Sequence, residues 1–327
     1  MRNKLALFDI IFCIAVAVCL VFAAGCKKKA QPGETKKVIG FSVVDMQPNF
    51  FQDMERGVRE GCEQMGFEYK LHDQKYDSAL LVSGCENLLT RGISALIVSP
   101  CEPSAMPPVV KKAKNMGIPV IICDIGSGGS EHDAIVISDC FGGGEIAADY
   151  MAKELQKRAN NTKKVGVIKC MPGHIYAVRR GEGFVKKIQQ LGFQVASTLC
   201  ANDVRDQGYR VAQDMMTAHP EMVGIFCEND PMALGAIQAV RDAGKSPIDD
   251  VLVVGFNADP EAIEAIKAGN LAATIQQAPY EMGKQCVGLA DKLLKGQALT
   301  YTDPNLREIT IPVRLITREN LSQYFPR

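Results

Sequence analysis

Short apolar runs alternate with amphipathic stretches along the chain from residue 38 onward. The runs are rich in valine and isoleucine, and most of them precede a segment whose apolar residues recur at helical spacing. They are VIGFSVV (38–44), ALIVSP (95–100), VIICDI (120–125), VGVIKC (165–170), VGIFCEN (223–229) and VLVVGFN (251–257). Continuous apolar strands between amphipathic helices are typical of parallel sheets that are covered on both faces. The pattern therefore predicts an α/β fold.

The same order of segments occurs twice. The first half begins with a strand, a helical stretch and a second strand, VIGFSVV and MGFEYKL being the strands. The second half begins in the same way, with KVGVIKC and LGFQVAS as the strands. The next unit repeats as well, because ALIVSP, a helix and GIPVIICD are matched by VGIFCEN, a helix and DVLVVGFN. This internal repeat predicts two similar Rossmann-like lobes, each built on an open parallel sheet.

The loops that follow the predicted strands are the candidate binding region, because open parallel sheets bind ligands beyond the carboxyl ends of their strands. The rule nominates residues 45–51, 101–103, 124–129, 171–180, 228–231 and 257–260. Two lobes whose loops face each other form a cleft. Segment 171–180 contains the adjacent Arg179 and Arg180, and we expect at least one of these guanidinium groups to face that cleft.

Residues 1–26 have a basic start, an apolar run and small residues before Cys26. This is the pattern of a secretory signal peptide, and it is too short for a comfortable membrane span. The segment AAGC (23–26) resembles the lipobox of bacterial lipoproteins, whose cysteine is acylated; the alternative is a plain signal peptide cut beside an incidental cysteine. Residues 27–37, KKKAQPGETKK, predict a flexible tether. We expect an exported protein, lipid-anchored to a membrane and facing the periplasm or the cell exterior.

The length and the charge of the chain restrict the number of domains and the kinds of binding partner. About 290 residues follow the tether, more than one core usually supports. The formal net charge is zero and no basic block lies outside the tether, which argues against nucleic acid as a partner. The four histidines lack metal-ligand spacing, so no metal site is predicted.

Nine cysteines follow Cys26, and an exported chain could use them as a disulfide framework. Several of them lie inside strand-like apolar runs, no CxxC pair occurs, and their number is odd. We therefore interpret them as small buried hydrophobic residues.

Several stretches resemble the periplasmic sugar-binding proteins of ABC transporters, the ribose-binding type in particular, from about Lys37 to about Ile316. They are PNFF (48–51), LLTRGISALIVSP (88–100), GIPVIICD (117–124), RRGEGF (179–184), MTAHPEMVGIFCENDPMALGAIQA (216–239), VVGF (253–256) and LAATIQQAP (271–279). The resemblance implies the type 1 periplasmic binding protein fold, with a ligand cleft between two lobes. It also implies three chain crossings, near residues 138, 277 and 305. The N-terminal lobe would then comprise 38–138 plus 278–305, and the C-terminal lobe 139–277 plus 306–327.

The resemblance also implies roles for individual residues. An aromatic pair would stack on a sugar ring and a polar set would hydrogen-bond its hydroxyl groups; these are Phe50 and Phe51, then Asp124, Arg180, Asn229 and Gln277. Further candidates are Asn257, Asp45, Gln47 and Asp203, whereas Arg179 is assigned to the surface. A sugar hydroxyl both donates and accepts, so carboxylates, amides and guanidinium groups suit it, and aromatic rings suit its CH face. The alternatives are that one phenylalanine belongs to the core, that Asp124 and Asn229 are turn residues, and that Gln277 merely belongs to the strand that crosses between the lobes.

The chain also departs from the ribose-type pattern. That pattern has Asp-Arg at Asp124-Ile125, an acid at Asn257, an aromatic near Asp203, and asparagine in the region of Gln47 and Pro48. One positive and one negative group are replaced, so the pocket stays near neutral while its polar groups change. The expected ligand is a neutral monosaccharide, a polyol or another small polyhydroxylated molecule.

The predicted function is ligand capture and delivery to an ABC transporter permease by a monomer without a cofactor. A sensing role, with delivery to a chemoreceptor or kinase, is an alternative that the sequence does not separate from transport. A transcription regulator on the same two-lobed module needs an N-terminal helix-turn-helix, and an export signal occupies that position. A sugar-active enzyme needs paired carboxylates; Asp124, Asp203 and Glu228 supply carboxylates, but no motif fixes a pair, so we predict no enzymatic activity.

Overall fold

The computed structural model describes residues 36–158, 162–172 and 174–325 of the 327-residue chain. The predicted signal peptide, Cys26 and most of the predicted tether lie outside the described residues. Within the compact unit Lys37–Arg327, the strands form two six-stranded sheets. These sheets confirm the predicted fold class of two α/β lobes.

The first sheet has the strand order β11-β5-β4-β3-β1-β2, and all of its neighbouring strands are parallel. Its strands are β1 (Val38–Val43), β2 (Glu68–Asp73), β3 (Ala95–Val98), β4 (Val120–Cys123), β5 (Ala134–Ser138) and β11 (Glu308–Ile311). The helices packed on it are α1 (Asn49–Met65), α2 (Ser78–Thr90), α3 (Met106–Asn115) and α9 (Pro279–Leu294). This sheet and its helices are the N-terminal lobe.

The second sheet repeats the arrangement with the order β12-β10-β9-β8-β6-β7. Its strands are β6 (Lys164–Lys169), β7 (Gln194–Cys200), β8 (Gly224–Cys227), β9 (Leu252–Asn257), β10 (Ala273–Gln276) and β12 (Arg314–Thr317), the last being antiparallel to β10. The helices packed on it are α4 (Cys140–Gln156), α5 (Ile175–Gln190), α6 (Arg205–Ala218), α7 (Asp230–Asp242), α8 (Pro260–Lys267) and the short α10 (Leu321–Tyr324). This sheet and its helices are the C-terminal lobe, and the matching orders confirm the internal repeat.

Each sheet is covered on both faces, which explains the continuous apolar runs in the sequence. In the N-terminal lobe, α1 and α9 cover one face and α2 and α3 the other. In the C-terminal lobe, α4 and α5 cover one face, and α6, α7 and α8 the other. The central strands β3, β4 and β8 are buried at every position, whereas the edge strands β2 and β7 are largely exposed or half-buried.

The chain passes between the two sheets after β5, after β10 and after β11. The last passage differs from the expectation of a crossing near Asn305. Asp303 Oδ1 accepts hydrogen bonds from the backbone N–H groups of Asn305 (2.9 Å) and Leu306 (3.3 Å), so TDPNLR is a tight turn. The turn sends β11 back along β5, and the chain leaves the first sheet only after Ile311.

The nine cysteines of the described residues are all free, and among them only Cys200 is exposed. Their burial agrees with the interpretation that they serve as small hydrophobic core residues.

Candidate functional site

A cavity of about 660 Å³ lies between the loops at the carboxyl ends of the two sheets. Eight of the predicted residues line it: Phe50, Phe51, Asp124, Arg180, Asp203, Asn229, Asn257 and Gln277. Asp45 and Gln47 are not among the lining residues. The Asp45 carboxylate instead accepts a hydrogen bond from the backbone N–H of Gln47 at 2.8 Å, in an exposed turn.

The aromatic wall of the cavity comes from the first turn of α1. The rings of Phe50 and Phe51 meet edge to face, with their centroids 5.2 Å apart. Phe51 is only 8 % exposed and belongs to the apolar core of the N-terminal lobe, whereas Phe50 is half-buried at the edge of that core. Phe50 therefore has the larger free surface toward the cavity, and Phe51 packs against the Phe50 ring from within the core.

Arg180 enters the cavity from α5 in the opposite lobe. Its Nη1 donates to the backbone carbonyl of Glu228 (2.7 Å) and to Asn257 Oδ1 (3.1 Å), and its guanidinium carbon lies 4.1 Å from the centre of the Phe256 ring. Close helix packing holds this side chain in place. A Cβ added to Gly183 would come within 2.0 Å of the Phe141 carbonyl oxygen, so only glycine permits the approach of α5 to α4.

Three side chains form a continuous polar row in the C-terminal lobe. Asn257 Oδ1 accepts from Arg180 and also from Gln277 Nε2 at 2.7 Å. Gln277 is 4 % exposed, and its Oε1 has no hydrogen-bond partner among the described residues. The row thus leaves a buried acceptor at one end and a cation at the other.

Asp203 and Asn229 form a second polar group. The Asp203 carboxylate accepts from Asn229 Nδ2 (3.1 Å) and lies 3.1 Å from His174 Nδ1. Burial raises the pKa of Asp203, but the hydrogen bonds from His174 and Cys170 outweigh that effect and the pKa lies below its usual value. Asn229 also caps α7, because its Oδ1 accepts from the backbone N–H of Met232 at 3.0 Å. Its side chain thus combines the capping role with a place in the cavity.

Asp124 faces this group from the N-terminal lobe. Burial raises the pKa of its carboxyl, and the positive charge of Arg180 opposes the increase. Asp124 and Ile125 both have φ near the left-handed region, at 63° and 55°, which non-glycine residues seldom adopt. Such backbone strain is typical of functional sites.

Further residues line the cavity that the sequence analysis did not name as ligand contacts, among them His174, Tyr176 and Asp259, which lie in the nominated loop segments, and Tyr76, which lies outside all of them. Tyr76 is the most conspicuous, because it is 61 % exposed and has a φ of 56° after Lys75 at 52°. Its N–H is held by the Val44 carbonyl at 3.0 Å. A left-handed conformation at a tyrosine leaves no sequence signal, whereas His174 and Tyr176 stand in the same segment as the two arginines.

Arg179 does not lie free on the surface, and its assignment from sequence was wrong. Its two terminal nitrogens donate to the Glu308 carboxylate, each at 3.1 Å, and its guanidinium lies over the Tyr176 ring at 4.5 Å. Neighbouring residues on a helix point about 100° apart, so Arg180 reaches the cavity while Arg179 reaches the other lobe.

In the part of the chain that the structure describes, no group of three or more His, Cys, Asp or Glu side chains is arranged to hold a metal ion. None of the described helices is long and apolar enough to cross a membrane.

Comparisons with known proteins agree with this architecture. A family model described as periplasmic binding protein domain matches residues 39–298. The ribose import binding protein of Escherichia coli strain K12 is 35% identical over 269 residues, covering 82% of this chain and 88% of that protein. A periplasmic ribose ABC transporter structure from Conexibacter woesei superposes with a TM-score of 0.80 at 26% identity, covering 88% of this chain and 94% of that one. A solute-binding protein of Bacillus halodurans with bound myo-inositol has a TM-score of 0.76 at 28% identity, covering 90% and 99%.

The family is one of solute-binding proteins and not of enzymes, which confirms the prediction that this chain has no catalytic activity. The family match covers most of the chain, both lobes included, and the relatives are matched over nearly their whole length. On these grounds the chain belongs to the periplasmic binding protein family, on its sugar-binding branch.

Proposed function

We propose that this protein captures a small neutral sugar or polyol in the cleft between its lobes and delivers it to the permease of an ABC transporter. The observation that carries the proposal is the polar row of Arg180, Asn257 and Gln277 opposite the exposed face of Phe50. Hydroxyl groups suit this row, because they can donate to the buried Gln277 Oε1 and accept from the guanidinium. The CH face of the same ligand suits the aromatic ring.

The charges that line the cavity support a neutral ligand. Asp203 is paired with His174 at 3.1 Å, and Glu261 with Arg205 at 2.8 Å. Burial raises the pKa of Asp124, and the positive charge of Arg180 only partly offsets that increase. Among the described residues, four carboxylates line the cavity, with Asp259 as the fourth, against the two guanidinium groups of Arg180 and Arg205. An anionic ligand would therefore meet an excess of negative charge, whereas a neutral ligand needs no counter-charge.

The ribose-type pattern has an arginine where this chain has Ile125 and an acid where it has Asn257. We therefore infer a ligand whose binding does not depend on those two charged groups. Ile125 adds an apolar side chain to the wall of the cavity beside Asp124. The similar proteins include ribose-binding relatives and a structure with bound myo-inositol. We infer that pentoses, hexoses and cyclic polyols are the first ligands to examine.

The proposed mechanism is closure of the two lobes around the ligand. Three chain passages connect them, after β5, β10 and β11, and the site takes residues from both sides. A ligand that contacts both lobes stabilises the closed arrangement, since it has more contacts there than in an open one. The closed form is the one that a permease would recognise.

Members of this family act in the periplasm, and we place this protein outside the cytoplasm as well. We propose that it is held on the membrane by lipid at Cys26, with residues 27–37 as the tether, and that it acts as a monomer. The support for the anchor is the lipobox-like AAGC at the end of an apolar leader.

A ligand panel tests the proposal. The purified protein is titrated calorimetrically with ribose, allose, arabinose, myo-inositol and xylitol, and product formation is followed in parallel. We expect saturable binding of at least one of them without any product. Absence of binding across the whole panel, or binding that survives unchanged in Arg180→Ala, would refute the proposed site.

A further inference from the structure

Glu308 is a buried carboxylate of the N-terminal lobe whose side-chain partners come from the C-terminal lobe. It stands at the start of β11 and is 5 % exposed. Tyr176 Oη donates to its Oε1 at 2.8 Å, and Arg179 donates to both oxygens at 3.1 Å. All three hydrogen bonds therefore join the first turns of α5 to the other lobe.

Both ends of this contact are held by the N-terminal lobe, although Tyr176 belongs to α5 of the C-terminal lobe. The backbone of Glu308 is paired with the 302–308 turn, since its N–H donates to Asp303 O (3.0 Å) and its carbonyl accepts from the Thr302 N–H (2.8 Å). Tyr176 is 9 % exposed and its ring packs among apolar side chains of the N-terminal lobe, on the face covered by α2 and α3. Separating the lobes at this point would pull a buried ring out of that cluster as well as breaking the ion pair.

Breaking the contacts of Glu308 with Tyr176 and Arg179 costs free energy. A buried carboxylate that loses its partners is strongly disfavoured, more so than the formation of the pair is favoured. An arrangement in which α5 moves away from β11 therefore carries a penalty that is avoided while Tyr176 and Arg179 remain bonded to Glu308. Arg180 follows Arg179 directly, so the same contact fixes the position of the cleft guanidinium.

We propose that Tyr176, Arg179 and Glu308 form an interlobe latch that stabilises the closed arrangement and thereby raises ligand affinity. The latch rests on the proposed function in one respect only, namely that ligand binds the closed form. Arg179 and Glu308 do not line the cavity, so their effect requires no contact with the ligand, whereas Tyr176 does line it. Arg179 and Glu308 are positioning residues, which act through the lobe equilibrium and through Arg180.

The test compares Arg179→Met and Glu308→Gln with a matched control on the same helix. Lys187 is equally exposed (30% against 29% for Arg179) and also forms an ion pair, but its partner Asp149 belongs to α4 of the same lobe. Lys187→Met therefore removes an equally exposed cation and its ion pair within one lobe, with a carboxylate partner that is 53% exposed where Glu308 is 6% exposed, and leaves the interlobe contact intact. Small-angle X-ray scattering of the ligand-free proteins reports the lobe separation, and calorimetry with ribose and myo-inositol reports the affinity.

We expect a larger radius of gyration without ligand in both latch variants, and no change in Lys187→Met. Affinity should fall about tenfold in the latch variants, because apparent affinity is reduced by the fraction of protein that remains competent to bind. The charge-swapped double variant Arg179→Glu/Glu308→Arg should recover part of both effects. Tyr176→Phe, which keeps the ring in its apolar cluster, is the milder variant if the others fold poorly.

Two outcomes would overturn the latch. One is scattering and affinity in the latch variants equal to those of Lys187→Met. The other is a loss of thermal stability with unchanged scattering, which would make the contact merely structural. If neither ribose nor myo-inositol binds any variant, the failure concerns these ligands or the proposed function, and the ligand-free scattering still decides on the latch.

Discussion

Replacing Arg180 by alanine tests the polar row directly. The substitution removes donors to the Glu228 carbonyl (2.7 Å) and to Asn257 Oδ1 (3.1 Å), both in a buried site. It also removes the positive charge that opposes the raised pKa of Asp124. The binding loss comes from the bonds that the guanidinium would donate to ligand hydroxyl oxygens: a hydrogen bond to a charged group contributes about 1.5–3 kcal/mol, and a ligand oxygen left buried and unpaired adds to the loss. We expect a loss of about 2–4 kcal/mol in binding free energy, which is about 30- to 1000-fold in Kd.

The assay is calorimetric titration of wild type, Arg180→Ala and Arg180→Lys with the tightest ligand of the panel, below the unfolding temperature of each variant. Lysine should recover little, because a single ammonium does not reproduce two directed hydrogen bonds of a planar guanidinium. Lys187→Met is the control for loss of a cation on the same helix. Unchanged affinity in Arg180→Ala, with the fold intact, would refute the assignment of Arg180 to the site.

Three further predictions concern other parts of the molecule. Phe50→Ala should weaken binding about ten- to hundredfold with little change in Tm, whereas Phe51→Ala should chiefly lower Tm because that ring is core; calorimetry and thermal unfolding separate the two. Burial raises the pKa of Glu228 to about 7 from an ordinary value of about 4.5. Protonated Glu228 therefore contributes to the stability of the folded protein at low pH, and this contribution is lost as pH rises through that interval. Glu228→Gln should therefore flatten the fall in unfolding free energy between pH 4.5 and 7, and an unaltered slope in denaturant titrations would count against the raised pKa. Cys26→Ser should release the folded protein from the membrane, and retention of the variant after a high-salt wash would contradict lipid anchoring.

The alternation of strands and helices was readable from the sequence because buried parallel strands leave continuous apolar runs. The repeat and the position of the cleft followed from the same pattern, and most predicted site residues do line one cavity. The third crossing was misplaced because a polar segment with Pro and Asn looks the same whether it connects two lobes or forms a turn. Here the Asp303 carboxylate makes it a turn.

The two arginines show where sequence reasoning ends. Arg179 and Arg180 are chemically identical neighbours, and their roles differ only because α5 directs them toward different surroundings. The partner of Arg179 is Glu308, 129 positions away in the chain, and nothing local indicates that pairing. Tyr76 escaped notice for a similar reason, because its left-handed backbone and its place at the cleft depend on the fold around it.

The most direct test of the central claim is a crystal structure of the protein with the tightest ligand of the panel. The account predicts a polyhydroxylated molecule in the 660 Å³ cavity, with hydroxyl groups on Arg180 and Gln277 and a CH face on Phe50. A ligand bound outside the cleft, or one bound in the cleft without contact to Arg180 and Gln277, would contradict it.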